Sequence, residues 1–136
     1  MAAKLAQQHV EIGLVSNGID RPTRFYRDLM GFPVAGSIEI PNVGTITRFQ
    51  AGDSIIRVLV PVEPAADPAG QGGFQAVVGI RYLALRIANL SEMVDRIATA
   101  GFAVPVPVRA LRPGVRVALV EDGDGNTIEL MEESAA

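Results

Sequence analysis

The chain has 136 residues, 49% of them hydrophobic and 20% charged, with a formal net charge of −3. That is the mix of one globular domain able to bury its own core, not of a disordered segment. There is no cysteine and only one histidine, His9, which excludes disulfides, thiolate metal sites, cysteine nucleophiles and histidine clusters.

The sequence pI of about 5.1 has the wrong sign for a general nucleic-acid binder. No run of 18 apolar residues suggests a membrane span. The opening Met1–Leu14 lacks the apolar core and small-residue cleavage site of a secretion signal, so a cytoplasmic protein is expected. A mean hydropathy of +0.28 is high for a soluble monomer and predicts apolar surface shared in a homodimer.

In chain order, His9, Glu11 and Gly13 alternate with Val10, Ile12 and Leu14, the pattern of a strand with one polar and one apolar face. Asp20 is placed to cap a helix, Pro22 fits its first turn, and Phe25 and Leu29 share a face. Gly31 is placed to end it. The segment GDSIIRVLV predicts a further strand. Its register is open: either Arg57 or Ile56 faces away from the core. Residues 61–79, rich in Pro, Ala and Gly, read as a linker. Within it, Gly70-Gln71-Gly72-Gly73 lacks the Lys-Ser/Thr of a phosphate loop.

The second half repeats the first at an offset of about 70 residues, too long for a solenoid. Leu83, Leu85 and Ile87 alternate with Tyr82, Ala84 and Arg86. Ser91 is placed to cap a helix with Val94, Ile97 and Ala98 in one stripe, and Gly101 to end it. Glu121–Asn126 reads as a hairpin turn before a last strand, in which Ile128 and Leu130 alternate with Thr127, Glu129 and Met131. The expected fold is α+β: a single domain over residues 1–136, with module one at about 8–60 and module two at about 80–132. Each is a βαβββ unit with a curved mixed sheet, apolar beneath its helix. Together the sheets form an open, barrel-like cleft lined by His9, Glu11, Tyr82, Arg86, Glu129 and Arg57.

Three phrases carry a family resemblance: His9-Val10, the run Phe25-Tyr26-Arg27-Asp28-Leu29-Met30-Gly31-Phe32, and Asp124-Gly125-Asn126-Thr127-Ile128-Glu129-Leu130. With them the chain resembles the vicinal oxygen chelate superfamily, which includes glyoxalase I, methylmalonyl-CoA epimerase, extradiol dioxygenases, fosfomycin-resistance enzymes and bleomycin-binding proteins. The resemblance implies paired βαβββ modules around a small-molecule site. Of the four positions where metal-using members place ligands, His9 and Glu129 match, but Tyr82 and Arg57 (or Ile56) stand at the other two. The resemblance therefore implies no obligatory metal. If a divalent ion binds, His9, Glu129 and Glu11 are its candidate ligands.

The expected activity is proton transfer beside a carbonyl, as in an isomerase, epimerase, cyclase or lyase, with His9, Glu129 and Tyr82 as catalytic candidates. Arg86, Arg57 and Glu11 are substrate-binding candidates. The arginines suit an anionic ligand, and Glu11 can also serve as ion-pair partner to Arg57 or Arg86. The alternative is a metal-free binding protein of the bleomycin-resistance type.

Overall fold

The computed structural model describes residues 1–67 and 74–134. Gly70, Gln71, Gly72 and Gly73 of the expected linker lie outside them. The first module runs β1 (Glu11–Val15), a single α-helical turn α1 (Asp20–Pro22) that continues as a π-helix (Thr23–Leu29), β2 (Val34–Ile40), β3 (Gly44–Ala51) and β4 (Ser54–Pro61). The second runs β5 (Tyr82–Arg86), α2 (Leu90–Thr99), β6 (Val106–Arg112), β7 (Val115–Glu121) and β8 (Thr127–Glu133). Each module forms a four-stranded sheet, ordered β1-β4-β3-β2 and β5-β8-β7-β6. The first and last strands of each module pair in parallel and the other pairs are antiparallel. This is the expected pair of βαβββ units, and the sheets stay open.

Alternation decides what each face carries. Ile56 and Val58 of β4, Phe49 of β3, Ala118 and Val120 of β7, and Ile128 and Leu130 of β8 turn towards the helices. They join Phe25, Tyr26, Leu90, Met93, Val94 and Ile97 in one core shared by both modules. Ile56 is 3% exposed while Arg57 is on the open side, which settles the register of β4 in favour of Arg57.

The helices differ from their expected outlines. The first begins at Asp20 itself, with Ile19 in the cap position and no side-chain cap; the Thr23 hydroxyl instead bonds the Ile19 carbonyl at 2.7 Å. Its π-helical part ends with the Met30 amide on the Phe25 carbonyl at 2.9 Å, and Gly31 turns the chain at φ +79°. The wider coil leaves the sequence neighbours Phe25 and Tyr26 both buried. Ser91 is not the cap of α2, because the helix already starts at Leu90, whose amide is taken by Glu132 Oε1 at 3.1 Å. Ala98 lies on the exposed side of α2, and the buried stripe is Leu90, Met93, Val94 and Ile97. Gly101 follows the helix at φ +94°.

Several contacts tie the modules beyond the shared core, among them an ion pair of Arg21 with Asp124. Phe25 and Phe102 meet edge to face at 5.2 Å, Arg24 bonds the Ala100 carbonyl at 2.5 Å, and the Tyr26 hydroxyl bonds Asp122. No described helix is long and apolar enough to cross a membrane.

Candidate functional site

The faces turned away from the helices carry the polar groups in rows set by strand register. On the first sheet one row is Glu11, Ile55 and Gln50. The next is Gly13, Arg57, Arg48 and Gly36, and the third is Val15, Leu59, Ile46 and Ile38. On the second sheet the rows are Tyr82, Thr127 and Glu121; then Ala84, Glu129, Leu119 and Val106; then Arg86, Met131, Val117 and Arg109. Arg57 beside Gly13 thus holds the position in module one that Glu129 beside Ala84 holds in module two.

Between the modules, β1 and β5 face each other as sheet edges. A slot of about 370 Å³ runs along this seam, lined among others by Val10, Glu11, Gly13, Tyr82, Leu83 and Thr127. Of the sequence candidates, Glu11 and Tyr82 line it, whereas Glu129, Arg57, Arg86 and His9 do not. Tyr82 and Glu129 stand on adjoining strands of one face, one row apart, with the apolar Ala84 and Leu119 on either side of Glu129. Glu129 is half-buried, and neither it nor the Tyr82 hydroxyl meets a polar partner among the described residues. Phe74 braces the Tyr82 ring edge-on at 5.6 Å.

Glu11 does reach an arginine, but it is Arg48 at 3.7 Å, not Arg57 or Arg86. Arg86 sits at the far end of β5 and is held by Glu133. That ion pair leaves it less free for a ligand than its position in the sequence implies. Arg57 is exposed and meets no carboxylate among the described residues.

His9 is not on the first strand. It lies in a bend two residues before β1, half-buried, outside the slot lining and without a hydrogen bond among the described residues. The reason is pairing: β4 begins at Ser54 and its Ile55 already pairs with Glu11, so no backbone is available to hold His9 in a strand.

Sequence reading missed Arg48, although a signal existed. Gly52-Asp53 is a two-residue turn between Ala51 and Ser54, with Gly52 at φ +61°. Once that turn is recognised, Arg48 must lie opposite Arg57.

Among the described residues no three His, Asp or Glu side chains gather closely enough to share an ion. Glu11 is engaged by Arg48, and the positive Arg57 fills the register position equivalent to Glu129.

Paired βαβββ units with a polar face beside an intermodular seam define a small-molecule cleft protein, a class with both enzymes and binding proteins. The chain belongs to the glyoxalase/bleomycin resistance protein/dioxygenase superfamily, whose family model matches residues 6–130. Solved structures share the fold. A glyoxalase family protein from Bacillus cereus is 16% identical with a TM-score of 0.83, covering 98% of this chain and 97% of its own. The genomically encoded fosfomycin resistance protein FosX from Listeria monocytogenes is 16% identical with a TM-score of 0.68, covering 98% and 96%. TioX from Micromonospora sp. ML1 is 20% identical with a TM-score of 0.64, covering 93% and 99%. No curated protein matches the chain in sequence.

Proposed function

We propose that the chain is an enzyme that moves a proton beside a carbonyl of a small molecule bound at the seam, as an isomerase, epimerase, cyclase or lyase does. The observation that carries this reading is that Glu129 and Tyr82 stand on adjoining strands of one sheet face, one row apart, with neither the carboxylate nor the hydroxyl hydrogen-bonded among the described residues. A carboxylate is an acceptor and a phenol a donor at neutral pH. Glu129 takes the proton from the carbon next to the carbonyl, and Tyr82 donates a hydrogen bond to the oxygen on which negative charge develops. The same groups in reverse return a proton to the carbon. His9 is kept as a more remote candidate for proton exchange with solvent. No step needs a divalent ion, consistent with the donor set. The working form proposed is a cytoplasmic homodimer.

Incubation of the purified protein with a panel of carbonyl acids in D₂O tests the reading. Deuterium uptake at the carbon beside the carbonyl, lost in Glu129→Gln, supports it. The second reading is a binding protein that sequesters its ligand, favoured by the apolar slot wall of Val10, Ile12, Leu14, Val15, Ile80 and Leu83. Tight binding with no exchange on any member of the panel would select that reading.

A further inference from the structure

From the row Gly13–Arg57–Arg48–Gly36 we infer that the seam takes an amphipathic anion, its carboxylate or phosphonate group seated on Arg57 and Arg48 above Gly13 and its apolar body lying in the slot. This deepens the proposed function by naming a ligand class for the same site. Arg48 and Arg57 are direct partners on antiparallel strands and share one face. Like charges in that relation repel, so the pairing costs stability unless an anion answers it. Glu11 supplies one negative charge, to Arg48 at 3.7 Å, and Arg57 has none among the described residues. The row is left one positive charge in excess.

Space lies where the charge is. The row ends in a glycine on each side, and a Cβ built at Gly13 or at Gly36 meets nothing within 4 Å. Gly13 is both the β1 partner of Arg57 and part of the slot lining, so the open space over Gly13 lies between the Arg57 position and the slot, which neither arginine itself lines. A planar guanidinium matches the paired oxygens of a carboxylate or phosphonate. Next to the charged row, Val15, Leu59, Ile46 and Ile38 present an apolar row, and Val15 also lines the slot. An anionic head on the arginines therefore places an attached apolar body along Val15 and the slot, whose lining includes Tyr82.

Titration of the full chain by calorimetry and by amide NMR, with hexanoate, phenylphosphonate and the neutral hexanamide as probes, tests the inference. At least one anion should bind at least 10-fold more tightly than hexanamide, with shifts at Gly13, Arg48 and Arg57, and should weaken as salt is added. Arg57→Gln should weaken the anion at least 10-fold and leave hexanamide unchanged. Gly13→Val keeps both guanidiniums and fills the open volume, so it should also weaken the anion at least 10-fold while circular dichroism shows the fold retained. Equal binding of anion and amide, no binding of any probe, or anion binding that survives both Arg57→Gln and Gly13→Val overturns the inference. The catalytic reading fails separately. Anion binding lost in Arg57→Gln without deuterium exchange leaves the anion site standing. Exchange whose KM is unmoved by Arg57→Gln leaves the proton chemistry standing without it.

Discussion

The Tyr26 hydroxyl donates a hydrogen bond of 2.5 Å to Asp122 Oδ2, joining the π-helix of one module to the β7–β8 turn of the other. Asp122 is 2% exposed and also accepts from the amides of Asp124 and Asn126 at 2.9 and 3.2 Å and from the Asn126 side chain at 2.8 Å. It thus closes the hairpin turn and fastens the modules with the same carboxylate.

Removing that carboxylate leaves a buried hydroxyl and the turn's amides unmatched. Asp122→Ala should cost about 3 kcal/mol or more, lowering the melting temperature by about 10 °C in a chain of this size. Tyr26→Phe should cost less, about 1–2 kcal/mol, since Asp122 keeps its other donors. Thermal denaturation followed by circular dichroism checks both. A change below 2 °C for Asp122→Ala would mean that the turn is held by something else.

Burial, and after it the charge and hydrogen bond of Asp122, holds the Tyr26 phenol well above its ordinary value of 10.0. The fold therefore favours the protonated ring. Its contribution is complete below pH about 10, the unfolded value, and is lost as pH rises through the folded value. Wild type should lose stability above about pH 10 more steeply than Tyr26→Phe. Parallel alkaline limbs in urea titrations of the two proteins would contradict this.

Glu132 behaves oppositely. Its hydrogen bond from Arg116 at 2.5 Å, and next the Leu90 amide, hold its carboxyl below the ordinary 4.5. Its contribution is present above the unfolded value and is lost as pH falls through the folded one. Glu132→Gln should flatten part of the acid limb below about pH 5. It should also speed hydrogen exchange at Leu90 where α2 begins, because a neutral amide oxygen is a weaker acceptor.

Gly44 admits no side chain. A Cβ there would overlap the Val60 carbonyl oxygen and stand 2.7 Å from Pro61 Cα, both backbone atoms, at φ +154°. Gly44→Ala should destabilise by about 2 kcal/mol or more. Gly13→Ala, into open space, should leave the melting temperature within about 2 °C of wild type.

In the catalytic reading, Glu129→Gln keeps the shape of the side chain and removes its basicity. Turnover should fall by about 10²-fold or more with folding intact. Tyr82→Phe should lower kcat more than it raises KM, because the hydrogen bond it removes strengthens as charge develops on the oxygen. Deuterium exchange kinetics on the responsive carbonyl acid measure both, and full activity in Glu129→Gln would reject the assignment.

The proposed homodimer rests on exposed apolar side chains and open edges. Val10 and Ile80, which line the slot, are 66% and 89% exposed, and among the described residues β1, β2, β5 and β6 each leave one edge without a strand partner. Light scattering should give about twice 14.4 kDa. A mass of one chain across the working concentration range would refute it.

Alternation and turn chemistry, both local properties, were enough to determine the modules from sequence. Leu83, Leu85, Ile128 and Leu130 repeat at period two, while Gly31, Gly101 and the Asp122–Asn126 turn stop the elements where the backbone requires it. They also put Glu129 on the face away from the helix, because its neighbours Ile128 and Leu130 had to be buried. Partnership between distant residues was decided only by the tertiary structure. Ile56 and Arg57 were equivalent until the packing of β4 beside Phe49 of β3, with Val58 in the shared core, buried one and exposed the other. His9 left the strand because the ladder with β4 stops at the Glu11–Ile55 pair and the residue opposite His9, Asp53, lies in the turn before β4. Glu11 found Arg48 across the intervening β4, Arg86 found Glu133, and Leu90 found Glu132, each choice depending on which long side chain the fold brought within reach. Periodicity fixes which way a side chain faces, but its partner depends on strand register and module docking, and those are set by burial summed over the whole core.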